Sequence, residues 1–539
     1  MHKYSANLNL LARYKRNTRR VNVHETSKQG RQNITMIAIF NLDWFPIIFL
    51  FFLLQMLTMV LLRNKRGNRS AKLPPGPPRL PIIGNLHQLG NLPHHSLHKI
   101  SQKYGPIMLL MLGSTPTIII SSAKMAQEVM KTHDLDCCSR PLSPGPRRLS
   151  YNHLDVAFAP YSDYWREMRK LFIFELLSMK RVQSFGYVRE AEVDKLITSL
   201  SEAFPNPINL NEKIFTLGDG IIGTVAFGKI YATKQFKNEA FQHVLDEAMN
   251  MLASFSAEDF FPTIGRFIDY STGLKTRRER IFKELDAYFE MVLNQHLDPN
   301  RPQPEHEDFV DILVQLLKDQ SFGLTKDHVK AILLDTFVGG IDTSAITMLW
   351  AMSELIKNPR VMKKVQIEIR NTVGKKAKVD GESVANLNYL KMVVKETFRL
   401  HPPATLLIPR ETMRHCEIGG YDIFPQTRIM VNAWAIGRDP DSWENPKEFH
   451  PERFEEKDID FRGAHFELVP FGAGRRICPG LAMGATNIEF TLANLLYCFD
   501  WEVPCGMRIE DISMEEEGGL TCHRKTPLNL IPIRYNSHE

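Results

Sequence analysis

One stretch near the N-terminus is apolar along its whole length. Residues 44–62 are apolar except for Gln55 and Thr58, and the apolar residues Met36–Phe40 precede them. A hydrophobic run of this length, with no polar stripe along one side, is long enough to cross the hydrocarbon core of a bilayer. We therefore expect residues 36–62 to form a single transmembrane anchor.

Beyond this anchor the pattern is mainly helical. Most of the chain from Asp163 to Asn358 has the pattern of helices, and prolines or glycines mark the breaks between them. Residues 107–112 and 117–121 instead predict a β-hairpin, and strand signals return at 416–418 and near the C-terminus. The sequence predicts a mainly α fold with a minor β-sheet region, preceded by the single N-terminal transmembrane helix.

The longest predicted helix contains two adjacent glycines. Residues 324–357 predict about nine helical turns, with Thr325 as the N-cap and an Asn-Pro pair as the stop. Gly339 and Gly340 lie in its middle, where each glycine costs roughly 1 kcal/mol relative to alanine. A flat group packed on the helix, or a local bulge, would explain the pair, and close packing of another helix is the structural alternative.

Prolines join the anchor to the rest of the chain. Residues 73–81 have the sequence Leu-Pro-Pro-Gly-Pro-Pro-Arg-Leu-Pro, which favours a stiff and extended backbone. No internal repeat or low-complexity linker follows. We expect four segments: a basic N-terminal extension at 1–35, the anchor at 36–62, a basic and proline-rich joint at 63–81, and one domain at 82–539.

The net charge of +6 comes from the N-terminal extension. Residues 1–35 carry eight Lys and Arg residues and one acid, Glu25, whereas the remainder carries 59 basic and 60 acidic side chains. Nothing in this balance favours nucleic-acid binding. Because basic residues follow the anchor directly, the positive-inside rule places the main domain in the cytosol. The extension contradicts that orientation, so either translation begins at Met36 or residues 1–35 are a transit peptide.

One of the seven cysteines lies in a distinctive turn. No C-x-x-C spacing occurs, which favours a reducing compartment over a disulfide framework. Cys478 lies in Pro-Phe-Gly-Ala-Gly-Arg-Arg-Ile-Cys-Pro-Gly at 470–480. Glycines allow a flat group to come close, and backbone N–H groups can stabilise a thiolate. Such a thiolate is a good axial ligand for haem iron, whereas a lone cysteine is otherwise usually a small buried hydrophobe.

The spacing Phe-x-x-Gly-x-Arg-x-Cys-x-Gly at 471–480 matches the haem-thiolate signature at all five fixed positions, so the chain resembles the cytochrome P450 monooxygenases. The resemblance covers residues 36–539 and is greatest for the plant A-type microsomal group of specialised metabolism. It implies a cytochrome P450 fold and haem b, with Cys478 as the iron ligand and Phe471, Gly472 and Gly480 around the cofactor. It also implies an NADPH–cytochrome P450 reductase as partner, with NADPH and flavin acting only through it, and a cytochrome b-type donor as a further partner.

Three arginines match the positions at which the family binds the haem propionates. Trp165 and Arg169 are four residues apart on a predicted helix and resemble the family motif W-x-x-x-R, in which both side chains bind a propionate. Arg410 and Arg476 match the other propionate-binding positions. Arginine suits this role because its guanidinium can donate two parallel hydrogen bonds to a carboxylate.

Other basic side chains adjoin this motif. Arg166 and Lys170 share the neighbouring helix face, and Arg475 lies in the cysteine segment. The resemblance implies that such a basic group docks an acidic reductase, and a solvated surface is the equally good alternative.

Two further motifs complete the resemblance. Gly-Gly-x-Asp-Thr resembles the oxygen-activation motif of the family, which implies that Asp342 and Thr343 are catalytic and manage proton delivery. Glu396 and Arg399 form an E-x-x-R motif, and Arg453 belongs to a Pro-Glu-Arg-Phe motif. In the family these three side chains form a structural triad that helps to hold the haem-binding core.

The substrate is defined only by the character of its pocket. The resemblance places in the pocket Gly339 and the mostly apolar run Ala404, Thr405, Leu406, Leu407 and Ile408. An apolar wall favours a lipophilic plant metabolite such as a terpenoid, alkaloid or phenylpropanoid, oxidised by hydroxylation or a related reaction. The resemblance further implies the endoplasmic reticulum membrane. Two alternatives stay open: a haem-thiolate isomerase or dehydratase that needs no reductase, and a membrane-anchored haem- or ligand-binding protein without turnover.

Overall fold

Helices form the greater part of the chain that the computed structural model describes, residues 71–232 and 239–535. The α-helices of ten or more residues are Pro93–Tyr104, Gly186–Ala203, Leu210–Phe227, Glu239–Ala253, Leu274–Leu297, Phe309–Lys318, Lys326–Gly340, Asp342–Lys357, Pro359–Val373, Asn388–Leu400 and Leu481–Cys498. The shorter ones are Ala123–Gln127, Asp134–Cys137, Pro144–Leu149, Asp163–Leu171, Met179–Ser184, Ala257–Phe260, Gly265–Ser271, Gly381–Ala385, Ala433–Ile436 and Arg453–Glu456. The prediction of a mainly α fold is confirmed. The predicted extension at 1–35 and the anchor at 36–62 lie outside the described residues.

Four small sheets accompany the described helices. The largest has the strand order β1 (Ile107–Leu112), β2 (Thr115–Ile120), β7 (Arg428–Val431) and β4 (Arg410–Glu411). The others join β3 (Ile208–Asn209), β11 (Asn529–Arg534) and β8 (Phe499–Glu502), β5 (Cys416–Ile418) with β6 (Tyr421–Ile423), and β9 (Glu516–Glu517) with β10 (His523–Arg524). Of these pairings, β2 with β7 is parallel. The predicted minor sheet region is confirmed.

The predicted hairpin forms, with a shorter turn than expected. Its turn consists of Gly113, which has a φ of 59°, and Ser114. A two-residue turn of this kind favours glycine, because left-handed backbone strains a residue that carries a Cβ. Strand β2 begins at Thr115, two residues earlier than predicted. It accommodates Pro116 because its pairing with β7 begins only at Thr117.

The helix Asp342–Lys357 lies within the largest apolar core. All side chains from Ser344 to Ile356 are buried. The helix packs against Leu210–Phe227, Asn388–Leu400 and Leu481–Cys498. A helix covered on every side needs no solvated face, which explains why apolar side chains occur around the whole circumference of its middle part.

The long helix predicted at 324–357 is divided in two. The helices Lys326–Gly340 and Asp342–Lys357 are separated by Ile341. Beside the break, the Thr343 hydroxyl donates to the Gly339 carbonyl at 2.7 Å. A side chain that bonds the carbonyl one turn back loosens the backbone ladder and often bends a helix. The prediction of one continuous helix is therefore wrong at this point.

The two glycines at the break have different surroundings. A Cβ placed on Gly340 would lie 2.7 Å from the Cδ1 atom of Ile222, whereas one placed on Gly339 would meet nothing within 4 Å. Close helix packing therefore explains Gly340, and open space lies over Gly339.

Two described helices have the length and hydropathy of a membrane span. They are Leu210–Tyr231, which includes the turn after Phe227, and Lys326–Lys357, counted across the break at Ile341; 56% and 67% of their apolar windows are buried inside the protein. Their position in the core explains their composition.

Part of the proline-rich joint packs onto the fold. The Pro75 carbonyl accepts a hydrogen bond from the Leu109 N–H at 2.9 Å. A Cβ on Gly76 would lie 2.1 Å from the Leu109 carbonyl oxygen, so only glycine fits there. These contacts fix residues 75 and 76 against strand β1.

Candidate active site

The cysteine loop is closed by its own backbone. The Cys478 N–H donates to the Phe471 carbonyl at 2.9 Å. Gly472 and Gly474 have φ angles of 66° and 67°, which favour glycine. The buried helix Leu481–Cys498 follows directly. The loop therefore presents the cysteine just before a helix that the core holds in place.

The Cys478 thiol lies among groups that favour its ionised form. Burial raises the pKa of the thiol, while the Gly480 N–H and the charge of Arg169 oppose that rise. A Cβ on Gly480 would lie 3.8 Å from Cys478 Sγ, so the backbone passes close to the sulfur. Arg169 also donates to the Ile477 carbonyl in the loop. Such surroundings suit a sulfur that gives up its proton to bind a metal.

A cavity of about 270 Å³ connects the cysteine loop to the helix break. The loop contributes Phe471, Gly472, Cys478 and Gly480, and the two helices contribute Gly339, Gly340, Thr343, Ser344 and Thr347. Apolar side chains complete the wall, among them Phe172, Leu177, Ile222, Phe309, Phe398 and Met483. An open cleft of about 460 Å³ between Pro75 and Tyr421 shares no lining residue with this cavity. The cavity therefore offers a flat apolar group the space between the thiol and the helix break.

Four arginines line the same cavity: Arg140, Arg169, Arg410 and Arg476. Burial lowers the pKa of Arg476 to about 9, and the charges of Arg410 and Arg169 add to this effect. Burial and the charges of Arg476 and Arg410 likewise lower the pKa of Arg140. Crowded, buried cations are stabilised by an anion, and carboxylates match the guanidinium fork. The thiol, the apolar space and the arginines together fit a haem with its propionates.

A carboxylate ties two arginines to the cysteine loop. Asp134 accepts hydrogen bonds from Arg410 at 2.8 Å and from the Arg475 guanidinium at 3.0 Å. It also accepts from the Arg475 backbone N–H at 2.9 Å, and Arg410 donates to the Ala473 carbonyl at 2.7 Å. This clasp fixes the loop against the helix Asp134–Cys137.

Trp165 supports the arginine cluster from behind. Its indole N–H donates to the Val156 carbonyl at 2.9 Å, and its ring lies 3.8 Å from the Arg476 guanidinium. Arg476 also donates to the carbonyls of Cys138 and Ala159, each at 2.7 Å. Trp165 itself is not among the cavity-lining residues, whereas the resemblance predicts it as a direct propionate ligand. Its N–H already has a backbone partner, and its ring orients Arg476.

Sequence reasoning missed Arg140. This buried side chain lines the cavity and donates to the carbonyls of Ala157 at 3.0 Å and Pro409 at 2.9 Å. Neighbouring residues in the sequence give no sign of this role, because both partners come from distant segments. The chain fold alone brings Arg140 to the other three arginines.

The acid and the hydroxyl of the predicted catalytic pair point in different directions. Thr343 lines the cavity, but Asp342 does not. The Asp342 carboxylate instead accepts a hydrogen bond from the Thr521 hydroxyl and lies 3.1 Å from His523 Nε2. Sequence reasoning did not predict these contacts of Asp342, because no local motif pairs it with Thr521 or His523.

The three side chains of the predicted triad meet in the interior. Arg399 donates to both oxygens of Glu396 at 2.7 Å, and Arg453 donates to Glu396 at 3.0 Å. Arg399 also donates to the carbonyls of Pro446 at 2.7 Å and Glu448 at 2.9 Å. The triad thus connects the helix Asn388–Leu400 to the segment that leads into the cysteine loop.

The structure brings only part of the predicted substrate wall to the cavity. Ala404, Leu407 and Ile408 line the cavity, together with Gly339. Thr405 and Leu406 do not line it, and Leu406 packs in a separate small core beneath strand β1. The reason is a turn: the Leu407 N–H donates to the Ala404 carbonyl at 3.1 Å, and Leu407 has a φ of 52°.

Two carboxyls, that of the buried Asp155 and that of the partly buried Asp335, lie side by side at the cavity wall. Asp335 lines the cavity and accepts from the N–H groups of Val156 at 2.6 Å and Ala157 at 3.2 Å. Burial raises the pKa of Asp335 well above its ordinary value, and the neighbouring Asp155 adds to this. Asp155 accepts from the Phe158 N–H at 2.7 Å. The pair connects the helix before the break to the segment at 155–158.

Comparison with known proteins decides the family. The family model described as Cytochrome P450 matches residues 74–530. The chain belongs to the cytochrome P450 family. Among solved structures, a zebrafish cytochrome P450 with abiraterone has a TM-score of 0.70 and 22% identity, covering 84% of this chain and 100% of that one. The predicted cytochrome P450 fold is therefore confirmed.

Several plant cytochromes P450 are close in sequence. The chain is 58% identical over 499 residues to the 2-methylbutanal oxime monooxygenase of Manihot esculenta, covering 92% of this chain and 97% of that protein. It is 60% identical over 489 residues to the 4-hydroxyphenylacetaldehyde oxime monooxygenase of Sorghum bicolor, with coverages of 88% and 92%. Cytochrome P450 71B34 of Arabidopsis thaliana is 51% identical over 492 residues, with coverages of 90% and 98%.

These relationships confirm the plant A-type assignment. The protein is a haem-thiolate monooxygenase of plant specialised metabolism, with haem iron as its cofactor. Cytochrome P450 monooxygenases take their electrons from a redox partner and act on lipophilic substrates.

Proposed function

We propose that this cytochrome P450 oxidises a small lipophilic aldoxime. The proposal rests on a difference in sequence identity between two groups of relatives. Identity reaches 58% and 60% with two oxime monooxygenases from different plants, but 50% to 52% with the Arabidopsis relatives. All of these relatives share the fold, so the additional identity supports a shared substrate class.

The cavity suits such a substrate. Its walls include Phe172, Leu177 and Phe309, which can hold an aliphatic or aromatic side chain. Asp335 adds a polar contact in this wall. Burial raises the pKa of its carboxyl and so favours the neutral form, which can donate a hydrogen bond to the oxime group. The remaining apolar surface excludes water from the bound molecule.

The residues around the cavity take complementary roles toward the haem. Cys478 would hold the iron, and Arg140, Arg169, Arg410 and Arg476 would bind the propionates, with Trp165 orienting Arg476. When bound, the haem would supply the activation of oxygen. Gly339 leaves open space beside the helix break, and the apolar walls can orient the substrate in the cavity.

Thr343 and Asp342 manage protons in this proposal. The Thr343 hydroxyl lines the cavity and can pass a proton from its Oγ1 atom. Asp342 lies next to it in the chain, on the side of the helix that faces away from the cavity. The Thr343 hydroxyl on the cavity side of the helix and the Asp342 carboxylate on the opposite side would together form a proton path.

A flavoprotein reductase that uses NADPH is the proposed partner. Arg166, Lys170 and Arg475 form the basic group that would receive it, and each pairs with a carboxylate at 2.7 to 3.0 Å. The pairs of Arg166 and Lys170 are exposed and weak, so an acidic partner can replace their carboxylates. Arg475 is half-exposed and keeps its bond to the buried Asp134. Lys170→Glu should slow reduction by the reductase and leave the carbon monoxide spectrum unchanged; an unchanged rate would argue against docking at this surface.

The proposed location is the endoplasmic reticulum membrane, with a single pass at residues 36–62 and the catalytic domain in the cytosol. The apolar run and the basic residues after it support this arrangement. A chain that begins at Met36 should keep the same location, and protease added to intact microsomes should digest the catalytic domain. Protection of that domain would contradict the orientation.

The decisive experiment uses microsomes that contain the full chain and a plant NADPH–cytochrome P450 reductase. Aldoximes with branched aliphatic and aromatic side chains are compared with the matched aldehydes and nitriles. We expect the aldoximes to shift the Soret band and to give products that require NADPH and oxygen. Conversion of a terpenoid or phenylpropanoid, with neither shift nor product from any aldoxime, would overturn the substrate class and leave the family assignment intact.

A further inference from the structure

Asp342, Thr521 and His523 form a closed hydrogen-bonded group behind the active-site cavity. The Asp342 carboxylate accepts from the Thr521 hydroxyl and lies 3.1 Å from His523 Nε2. The Thr521 hydroxyl also lies 3.1 Å from the same nitrogen. A proton on His523 is therefore in direct hydrogen-bond contact with the carboxylate of the proposed catalytic pair.

Of the three, His523 has access to solvent. Its side chain is 36% exposed, whereas that of Asp342 is 15% exposed and Thr521 is buried. The imidazole ring is stacked on Phe215, with an interplanar angle of 3° and centroids 5.9 Å apart. This stacking holds the ring in one orientation, and the exposed part of the ring is accessible to solvent. This geometry suits a group that takes protons from solvent and passes them inward.

The charges around His523 favour its protonated form. Burial opposes charging, but the hydrogen bond and charge of Asp342, with Glu517 and Asp246 adding, raise the pKa of the imidazole above its ordinary value. Asp246 lies on the neighbouring helix Glu239–Ala253, where the charge of His243 acts to lower the pKa of Asp246 itself. The imidazole therefore keeps its proton to a higher pH than an ordinary histidine, and its exposed part can exchange that proton with water.

We propose that His523 is the solvent-side entry of the proton path to Asp342 and Thr343. The proposal rests on the proton-delivery roles proposed for those two residues, but not on the aldoxime substrate. Each turnover combines O2, two electrons and two protons with the substrate, leaving one oxygen atom in the product and the other in water. The reductase supplies the electrons. His523 Nε2 gives a proton to the Asp342 carboxylate and is protonated again from solvent.

A purely structural role predicts a different outcome. The Asp342–Thr521 contact also fixes the C-terminal segment to the helix Asp342–Lys357. Loss of that anchoring would reshape the cavity and weaken substrate binding. Loss of a proton donor would leave substrate binding intact and change only how protons reach the cavity.

The test compares His523→Gln with a matched control. Glutamine can still donate a hydrogen bond to Asp342, but it cannot titrate. The control is His415→Gln, because His415 Nε2 lies 2.9 Å from Asp422 on the β5–β6 hairpin, and neither residue lines the cavity. Both variants are made in the full chain, loaded with haem and assayed with reductase. Substrate-induced spectral shift, product per NADPH and hydrogen peroxide release are measured across pH.

We expect His523→Gln to keep the spectral shift and to lose product per NADPH by about tenfold or more, with peroxide rising in proportion. Product formed with added hydrogen peroxide, which brings its own protons, should stay within about twofold of the wild type. In the wild type and the control, product per NADPH should fall as pH rises through the His523 titration. In His523→Gln that dependence should disappear.

An independent measurement follows the imidazole itself. In protein with isotopically labelled histidine, His523 should titrate above the ordinary histidine range, and Asp342→Asn should lower that midpoint. The proposal is overturned if His523→Gln couples NADPH to product like the control, or if its pH dependence is unchanged. Loss of peroxide-driven turnover together with the spectral shift would show a structural role instead. Failure of aldoximes as substrates would leave this comparison usable with any substrate that the enzyme accepts.

Discussion

Alanine substitutions at Gly339 and Gly340 test whether close packing requires a glycine at one position and not at the other. A Cβ on Gly340 would lie 2.7 Å from Ile222 Cδ1 and 3.0 Å from Cγ1, and Ile222 is 2% exposed. Overpacking of a filled core costs about 1 to 3 kcal/mol, and the helix propensity of alanine returns at most about 1 kcal/mol. Gly339→Ala has the same propensity gain and meets nothing within 4 Å. We expect Gly340→Ala to be less stable than Gly339→Ala by about 1 to 3 kcal/mol.

The comparison is made by urea unfolding of the full-length, detergent-solubilised, haem-loaded protein, followed by circular dichroism. The two variants share a helix and a chemical change, so their difference isolates the contact with Ile222. Ile222→Val removes the clashing methyl group and alone should cost about 0.5 to 1.5 kcal/mol. Combined with Gly340→Ala, it should cost less than the sum of the two single changes, because the added Cβ occupies the vacated space.

Two results would refute the argument. One is equal unfolding midpoints for Gly339→Ala and Gly340→Ala. The other is strict additivity between Gly340→Ala and Ile222→Val. Either result would mean that close packing against the helix Leu210–Phe227 does not explain the glycine at position 340.

Four further predictions concern the site and its supports. Burial raises the pKa of Asp155 to about 6, so the neutral carboxyl is favoured in the folded state and wild-type stability falls as pH rises from about 4 to 6. Asp155→Asn, which can donate to Asp335, should remove the part of this dependence that Asp155 contributes and be more stable by about 1 to 3 kcal/mol at pH near 8; lower stability there would count against it. Thr343→Ala should bind haem and substrate and consume NADPH, but release mainly peroxide; undiminished product per NADPH would remove the hydroxyl from the proton path. Cys478→His should lose the red-shifted Soret band of the ferrous carbon monoxide complex, and its persistence would identify another ligand. Arg399→Lys should yield little folded, haem-containing protein, because each abandoned buried acceptor costs about 1 to 3 kcal/mol, and normal yields would contradict the triad's role.

Local motifs carried most of what the sequence could predict. The E-x-x-R pair is three residues apart on one helix, so spacing alone brings Glu396 and Arg399 together. The cysteine loop is equally local, because its glycine pattern specifies the turn. Element types were predictable for the same reason, since helix caps, stops and hairpin turns depend on a few neighbouring residues.

Contacts between distant segments set the limit of that prediction. Arg140 binds carbonyls of Ala157 and Pro409, and no property of its own neighbours indicates this. The direction of Asp342 depends on Thr521 and His523, which are 179 and 181 residues away. The helix break was missed because glycines in a helical pattern can signal either a kink or close packing, and here the two glycines serve different purposes.

The Asp134 clasp has a consequence for the order of biosynthesis. This carboxylate holds the backbone of Arg475, which lies 341 residues later in the chain. During synthesis Asp134 is therefore made long before the cysteine leaves the ribosome, and the loop takes its shape only when residues 470–480 have been made. A C-terminal fragment would contain the complete cysteine signature without the side chain that fixes it. We expect haem capture to be the final event in making this protein, so that a ribosome stalled before residue 470 leaves a chain that cannot retain the cofactor.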